Sequence, residues 1–369
     1  MAKHLVLVGG GHAHLMTINQ IPVFLDKGYR VTLVSPSPLH YYSGMGPGLL
    51  AGVYRPEQVR FPVRHMAESG GGVFVQDAVQ GLDPKARTLR LASGATLEYD
   101  AVSFNTGSRV DVPGNGALAP DVFAVKPIEN LVAARERVLE RLARGPLSVA
   151  VVGGGPAALE MAGALWRLGR DARTNPLAVQ VLAGRRFLSN LPAKAQRLAR
   201  RSLNARGVEV LEEGYAANVT TGEVLLETGQ VRTADLVILA TGIAPSVPLG
   251  ACGLPTAPGG WLAVNKFLQS PAHPEVFGGG DCIHFQDRSL DKVGVYAVRQ
   301  NPVLRDNLLG YLDGRPLRPF HPGPPTYLLI FNLGDGTAIY WKGGMIYQGR
   351  TAWLLKDYID RKFMRKFQP

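Results

Sequence analysis

The chain has 369 residues, of which 46% are hydrophobic and 19% charged. That balance excludes a disordered chain and leaves material for two domains or one large one. A formal charge of +11 and a pI near 9.7 imply an anionic partner: nucleic acid, a phosphorylated cofactor or a membrane surface.

Met1-Ala2-Lys3-His4 leads into LVLV, which Gly9-Gly10-Gly11 ends after four apolar residues. A secretory signal core needs ~7–15, so the start reads as mature cytoplasmic protein. No apolar run approaches the ~20 residues that span a bilayer. Cys252 and Cys282 are too few for a disulfide framework or a four-thiolate zinc site, which points to a reducing compartment. His12 and His14 lack a third ligand at plausible spacing, so no metal is expected.

The most informative feature is an internal echo. LVLVGGGHAH (5–14) recurs as VAVVGGGPAA (149–158), and DAVSFNTGS (100–108) recurs as DLVILATGI (235–243). Each half reads as a buried parallel strand, a glycine turn and a helix start, closed by a strand running into Thr106-Gly107 or Thr241-Gly242. Gly9 and Gly153 permit the turn. Gly11 and Gly155 let a pyrophosphate approach the backbone, and free N–H groups at the helix start, beside His12-Ala13 and Pro156, hold its oxygens. The third glycine is replaced by Ala158, an accepted substitute, and by His14, which implies a looser helix–strand contact or a histidine near the cofactor. The fold class expected is α/β, with two Rossmann-like dinucleotide-binding domains.

A ribose-binding acid is expected some twenty residues on. The first strand ends instead in Ser35, whose hydroxyl can still meet a ribose. The second ends in Ala183-Gly184-Arg185-Arg186, where two guanidinium groups and no carboxylate favour a 2′-phosphate over a plain ribose. A solvated basic turn is the alternative.

These residues resemble the two-dinucleotide-domain flavoproteins of the pyridine nucleotide-disulfide oxidoreductase superfamily. VFGGGDC (276–282) is similar to their third signature, which implies that Gly280 and Asp281 bind the ribityl chain of FAD. Within the superfamily the chain resembles type II NADH dehydrogenases and the flavoprotein module fused to selenophosphate synthetase. The stretches GGGHAH, YYSGMGPGLLAG, VKPIENL, GVYAVRQNP and LKDYIDRKFMRKF carry that likeness. It implies FAD in the first domain, NADPH or NADH in the second, and a quinone as acceptor. The CxxxxC pair of disulfide reductases is absent: that region is His40-Tyr41-Tyr42-Ser43-Gly44-Met45. The alternatives are a soluble flavin oxidoreductase in selenium or sulfur metabolism, or a redox sensor with a degenerate NAD(P)H site.

The resemblance also assigns Glu160 to nicotinamide or quinone positioning, against a helix-surface carboxylate. Lys292, before GVYAVRQNP, would help that helix start stabilise reduced flavin. Tyr296 and Gln300, four apart, would line the acceptor pocket, with core packing the alternative for Tyr296. The expected division is an FAD domain over 1–110 and 263–323, an NAD(P)H domain over 111–262, and a C-terminal segment over 324–369 with a hairpin turning at Gly334-Asp335-Gly336. Residues 350–369 carry six Lys/Arg against two Asp, interleaved with Trp353, Leu354, Tyr358, Ile359, Phe363 and Phe367. That pattern predicts an amphipathic helix lying on an anionic membrane face. A helix covering its own domain or a homodimer partner is the alternative. Nucleic-acid binding is not expected, since no known module backs the charge.

Overall fold

The structure is a computed structural model that describes every residue except Met1, Asn115, Ala117 and Pro369. Ten strands build two parallel sheets: β1 (His4–Val8), β2 (Arg30–Val34), β3 (Val73–Val75), β4 (Ala101–Phe104), β5 (Val122–Ala124), β6 (Leu147–Val152), β7 (Leu177–Leu182), β8 (Glu209–Leu211), β9 (Leu236–Leu239) and β10 (Val276–Gly278). The first sheet runs β10-β4-β1-β2-β3 and the second β5-β9-β6-β7-β8. The sequence echo is thus an echo of topology. In each sheet the glycine-turn strand (β1, β6) lies between the strand that ends in Thr-Gly (β4, β9) and the strand that follows in sequence (β2, β7).

Strand β1 is buried along its whole length, as a continuous apolar run covered on both faces should be. Separate cores form around the two sheets. One includes Leu5, Leu7, Phe104 and Phe277; the other includes Val149, Val151, Phe187 and Ile238. The chain leaves the first sheet after β4 and returns to it as β10, and the outgoing stretch Ser108–Val110 pairs antiparallel with the returning stretch Ile243–Pro245.

Six helices position the site: α1 (Leu15–Asn19), α2 (Asn130–Arg144), α3 (Pro156–Ala172), α4 (Ala193–Asn204), α5 (Gly294–Asp313) and α6 (Arg350–Phe367). Proline at the first position of α3 has no N–H to leave unpaired, and Gly314 closes α5 in the left-handed region at φ +70°. Beyond α5 lie three antiparallel strands, β11 (Leu329–Asn332), β12 (Ala338–Lys342) and β13 (Met345–Gly349). The hairpin turn falls at the expected glycines, and Gly343-Gly344 adds a third strand to it.

Helix α6 forms, but its apolar residues do not share one face. Phe363 and Phe367 pack inward on Phe61, with ring centroids 5.9 and 6.3 Å away. Leu354, Tyr358 and Ile359 point outward, 49%, 55% and 38% exposed. At 3.6 residues per turn, Leu354 stands roughly half a turn from Phe363, so a single apolar stripe was never available. The inward face instead buries Ala352, Asp360 and Met364. Among the described residues no helix is long and apolar enough to cross a membrane.

Candidate active site

The two glycine turns are built alike. Gly9 and Gly153 have φ of +89° and +144°. A Cβ on Gly9 would lie 2.4 Å from the Asn105 carbonyl oxygen, and one on Gly153 would lie 2.2 Å from that of Ala240. Each turn is therefore pressed against the end of its own Thr-Gly strand, and any side chain there would push the two apart. A Cβ on Gly155 would meet nothing within 4 Å, which leaves the start of α3 open to a ligand.

His14 resolves in favour of structure. It is fully buried; one ring nitrogen lies 2.7 Å from the Gly9 carbonyl and the other 2.8 Å from Ser103 Oγ. The imidazole fastens the first turn to β4, the task that close packing at a third glycine otherwise performs. Burial holds it neutral, with its pKa lowered to about 4.

A cavity of about 410 Å³ opens above the first sheet. Its walls include Gly9, Gly11, His12, Ser35, Thr106, Gly107, Gly280 and Asp281, residues that sequence reasoning had assigned to one cofactor. Two atoms in these walls, Asn105 Nδ2 and Thr106 Oγ1, are buried without a partner beside the glycine turn, and a third, His12 Nε2, belongs to the ring that stacks on Phe363 of α6. Buried polar groups are costly when unpaired, so a polyhydroxylated, phosphate-bearing ligand suits this cradle. Asp281 is placed by Lys126, whose ammonium lies 2.7 Å from its carboxylate and donates to Ser108 Oγ as well. Ser35 Oγ donates to the Ser37 carbonyl at the far end of the cavity.

Three assigned residues stand elsewhere. Gln300 turns inward, and its Oε1 accepts the Gly280 N–H at 2.6 Å, so it shapes the turn before Asp281. Tyr296 is buried edge-on against Tyr327, the core-packing alternative. The face of α5 that reaches the cavity carries Gly294 and Ala297, because the register of the helix is set by its buried residues, not by the pair at four-residue spacing. Lys292 donates to the Ile283 carbonyl, lies over Trp261 and, with Tyr296 and Gln300, lines a separate small pocket of about 10 Å³ against Gly280 and Asp281. The start of α5 does face the cavity, without Lys292 beside it.

In the second unit, Thr241 Oγ1 donates to the Asp111 carbonyl, and Gly242 accepts the N–H of Asp111. Arg185 and Arg186 are both exposed after β7, but carboxylates are close by. Arg185 Nε donates to Glu227 at 2.9 Å, and Glu212 accepts the Phe187 N–H. These acids come from later strands, where a reading of the segment after β7 could not see them.

Glu160 is no surface carboxylate. It is half-buried, accepts the Asn332 N–H at 2.8 Å, and burial pushes its pKa up to about 7 against the pull of Lys356. Lys356 on α6 is the centre of this knot: it bonds Asp360 at 2.7 Å and the Gly44 carbonyl at 2.6 Å. Burial alone would lower its pKa, but Asp360 and Glu160 outweigh burial and raise it. Asp360 also accepts the Tyr42 hydroxyl at 3.1 Å. Sequence reasoning counted Lys356 and Asp360 only as tail charges. Their spacing of four, with opposite signs on an apolar side of the helix, was the available signal.

The chain is similar to ferroptosis suppressor protein 1 of Xenopus tropicalis, 26% identical over 351 residues, covering 90% of this chain and 87% of that protein. It is similar also to the NADH oxidase of Methanocaldococcus jannaschii, 25% identical over 324 residues, covering 83% and 70%. Among solved structures it resembles the sulfide:quinone oxidoreductase of Aquifex aeolicus, with a TM-score of 0.77, 17% identity and coverage of 100% and 92%. NDH2 of Plasmodium falciparum in complex with NADH also scores 0.77, at 14% identity and coverage of 100% and 99%. At such identities these structures speak for the fold alone. The profile of the pyridine nucleotide-disulphide oxidoreductases matches residues 3–301. With twin glycine turns on twin parallel sheets, the chain belongs to the pyridine nucleotide-disulphide oxidoreductase family and is an NAD(P)H-dependent flavin oxidoreductase.

Proposed function

We propose that the protein is an FAD-dependent NAD(P)H:quinone oxidoreductase, held on the cytoplasmic face of the cell membrane by the outer side of α6. The observation that carries this reading is the wall between the cavity and α6. His12 and His40 face the cavity, Tyr42, Phe61 and Phe363 back them toward α6, and among the described residues no cysteine lines the cavity. A flat apolar acceptor suits such a wall, and a thiol relay does not.

In this reading residues 1–110 and 263–323 hold FAD and residues 111–262 hold NADPH or NADH. Flavin supplies two-electron transfer between nicotinamide and acceptor. The chain's own groups do the placing. The turn at Gly9–Gly11 offers backbone N–H groups to the pyrophosphate, Asp281 orients the ribityl hydroxyls, and the start of α5 presents its positive dipole end to the flavin. Gly153, Gly155 and Pro156 hold the nicotinamide dinucleotide, with Arg186 the cation left for a 2′-phosphate. Glu160, tied to Lys356, positions the junction where nicotinamide and acceptor meet.

The Arg185–Glu227 pair supports a second reading, a redox sensor whose NAD(P)H site is weak. One experiment separates them. Anaerobic addition of NADPH or NADH should bleach the flavin band near ~450 nm, and a short-chain quinone should restore it. Bleaching without recovery on quinone rejects the quinone reading; no bleaching rejects both it and the reductase.

A further inference from the structure

His12 follows the first glycine turn and lies in a box of aromatic rings. Its imidazole stacks on Phe363 at 5.6 Å and 17°, meets His40 edge-on at 4.7 Å, and is flanked by Tyr42 at 5.2 Å. His12 Nδ1 and His40 Nε2 are 3.0 Å apart, so one ring donates to the other. Both histidines line the 410 Å³ cavity. His12 is 7% exposed, and its Nε2 has no partner. A buried imidazole nitrogen without a partner in a cavity wall is a costly feature unless a ligand meets it.

Tyr42 and Lys126 flank this pair and are already engaged, and Glu129 shares the cavity wall with a pKa raised by burial. Tyr42 spends its hydroxyl proton on Asp360, and burial holds its pKa well above the ordinary range. Lys126, on the far side, is paired with Asp281 and Ser108. Phe61 and Phe363 complete the box without polar atoms. The remaining unpartnered atoms of the cavity, Asn105 Nδ2 and Thr106 Oγ1, belong to groups that do not titrate in this range.

We propose that His12 is the proton donor to the quinone and that His40 resupplies it. This inference rests on the quinone reading above. To become a quinol, the acceptor takes a hydride equivalent at the flavin and one proton from the protein. The proton leaves His12 Nε2 for the quinone oxygen, so an O–H bond forms as an N–H bond breaks. His12 Nδ1 then takes the proton of His40 Nε2, and His40 Nδ1 takes one from water at the cavity edge. One solvent proton is consumed, and both rings are neutral before and after. When the quinol leaves, water reaching His12 restores the starting tautomers.

A neutral relay matches the setting. Burial and Lys126 lower the pKa of His12 to about 4, and burial and His12 lower that of His40 well below its ordinary value, so an imidazolium would be disfavoured at either site. Tautomer exchange moves a proton without creating that charge.

The test compares an acceptor that needs a proton with one that does not. Holoprotein and the variants His12→Phe and His40→Asn are reduced with NAD(P)H and reoxidised by a water-soluble quinone or by ferricyanide. The ratio of quinone to ferricyanide rates should fall about a hundredfold in each variant. A second readout does not depend on turnover: 15N spectra of histidine-labelled holoprotein should show both rings neutral between about pH 6 and 8. Variants that slow both acceptors alike, or that keep the wild-type ratio, overturn the donor role while the quinone reading stands. An imidazolium at either ring near neutral pH also overturns it. Wild-type protein that reduces ferricyanide but no quinone sinks the quinone reading, and the donor role with it.

Discussion

Lys126 and Asp281, 155 residues apart, meet at 2.7 Å on the wall of the 410 Å³ cavity. The pair joins the strand that opens the second sheet to the turn that follows the last strand of the first. It also fixes the carboxylate in the one orientation left after Lys126 and Ser108 have claimed Oδ2. Asp281→Ala should weaken flavin binding about ten- to a hundredfold, the worth of a charge-assisted hydrogen bond. The ratio of flavin absorbance to protein absorbance after gel filtration measures this. Full occupancy in the variant would remove Asp281 from the cofactor site.

The two arginines after β7 should separate. Glu227 already holds Arg185, so Arg185→Ala should raise the KM for NADPH only about twofold. Arg186→Ala should raise it about tenfold, with little effect on NADH. Stopped-flow flavin reduction with both nucleotides reads the difference. Equal responses to NADPH and NADH would mean that neither guanidinium meets a 2′-phosphate.

Lys356 and Asp360 form a buried ion pair, their side chains 14% and 6% exposed. Removing one partner strands the other. Lys356→Met should cost about 3–5 kcal/mol, and Lys356→Met with Asp360→Leu should recover at least half of that. Urea unfolding of the three proteins checks it. A double variant no better than the single would show that the Tyr42 and Gly44 bonds, not the charges, hold α6 down.

Glu160 carries a pH term. Its pKa rises from an ordinary 4.5 to about 7 on folding, through burial first. The native state therefore holds a proton that the unfolded chain has lost between those values. This contribution to stability is full below about pH 4.5 and is lost as pH rises through about 7. Glu160→Gln should flatten the decline in the urea midpoint between about pH 5 and 8. An unchanged slope would place the titration on another group.

The outer face of α6 can be tested without disturbing the inner one. Leu354→Glu with Tyr358→Glu changes only exposed positions. If α6 lies on a membrane, these changes should abolish co-sedimentation with anionic vesicles at low salt, while flavin content stays the same. Removing the whole helix would be a poorer test, since Phe363 and Lys356 would leave with it. Binding that survives the double change would put the contact elsewhere.

The glycine turns and the place of Asp281 on the cavity wall were legible because their signals are local: a strand, a turn and a helix start lie within about ten residues of one another. His14 was readable only as a conflict with its motif, since its answer, Ser103, lies 89 residues away. Lys126, His40 and Lys356 left weaker traces. Each acts through a partner brought in by the tertiary fold, and Lys356 reaches 312 residues back to Gly44. On α6 the composition was read correctly and the geometry was not. Six apolar residues in a row of small spacings look like one stripe until the angle per residue is summed.

The seating of α6 also sets an order of events during synthesis. Phe363 closes the aromatic wall behind His12, and Lys356 clamps Gly44, yet both are translated only after the two sheets are complete. A ribosome-bound chain therefore carries both sheets with one side of the His12 pocket missing, and it gains that side only as the eighteen residues of the helix clear the exit tunnel.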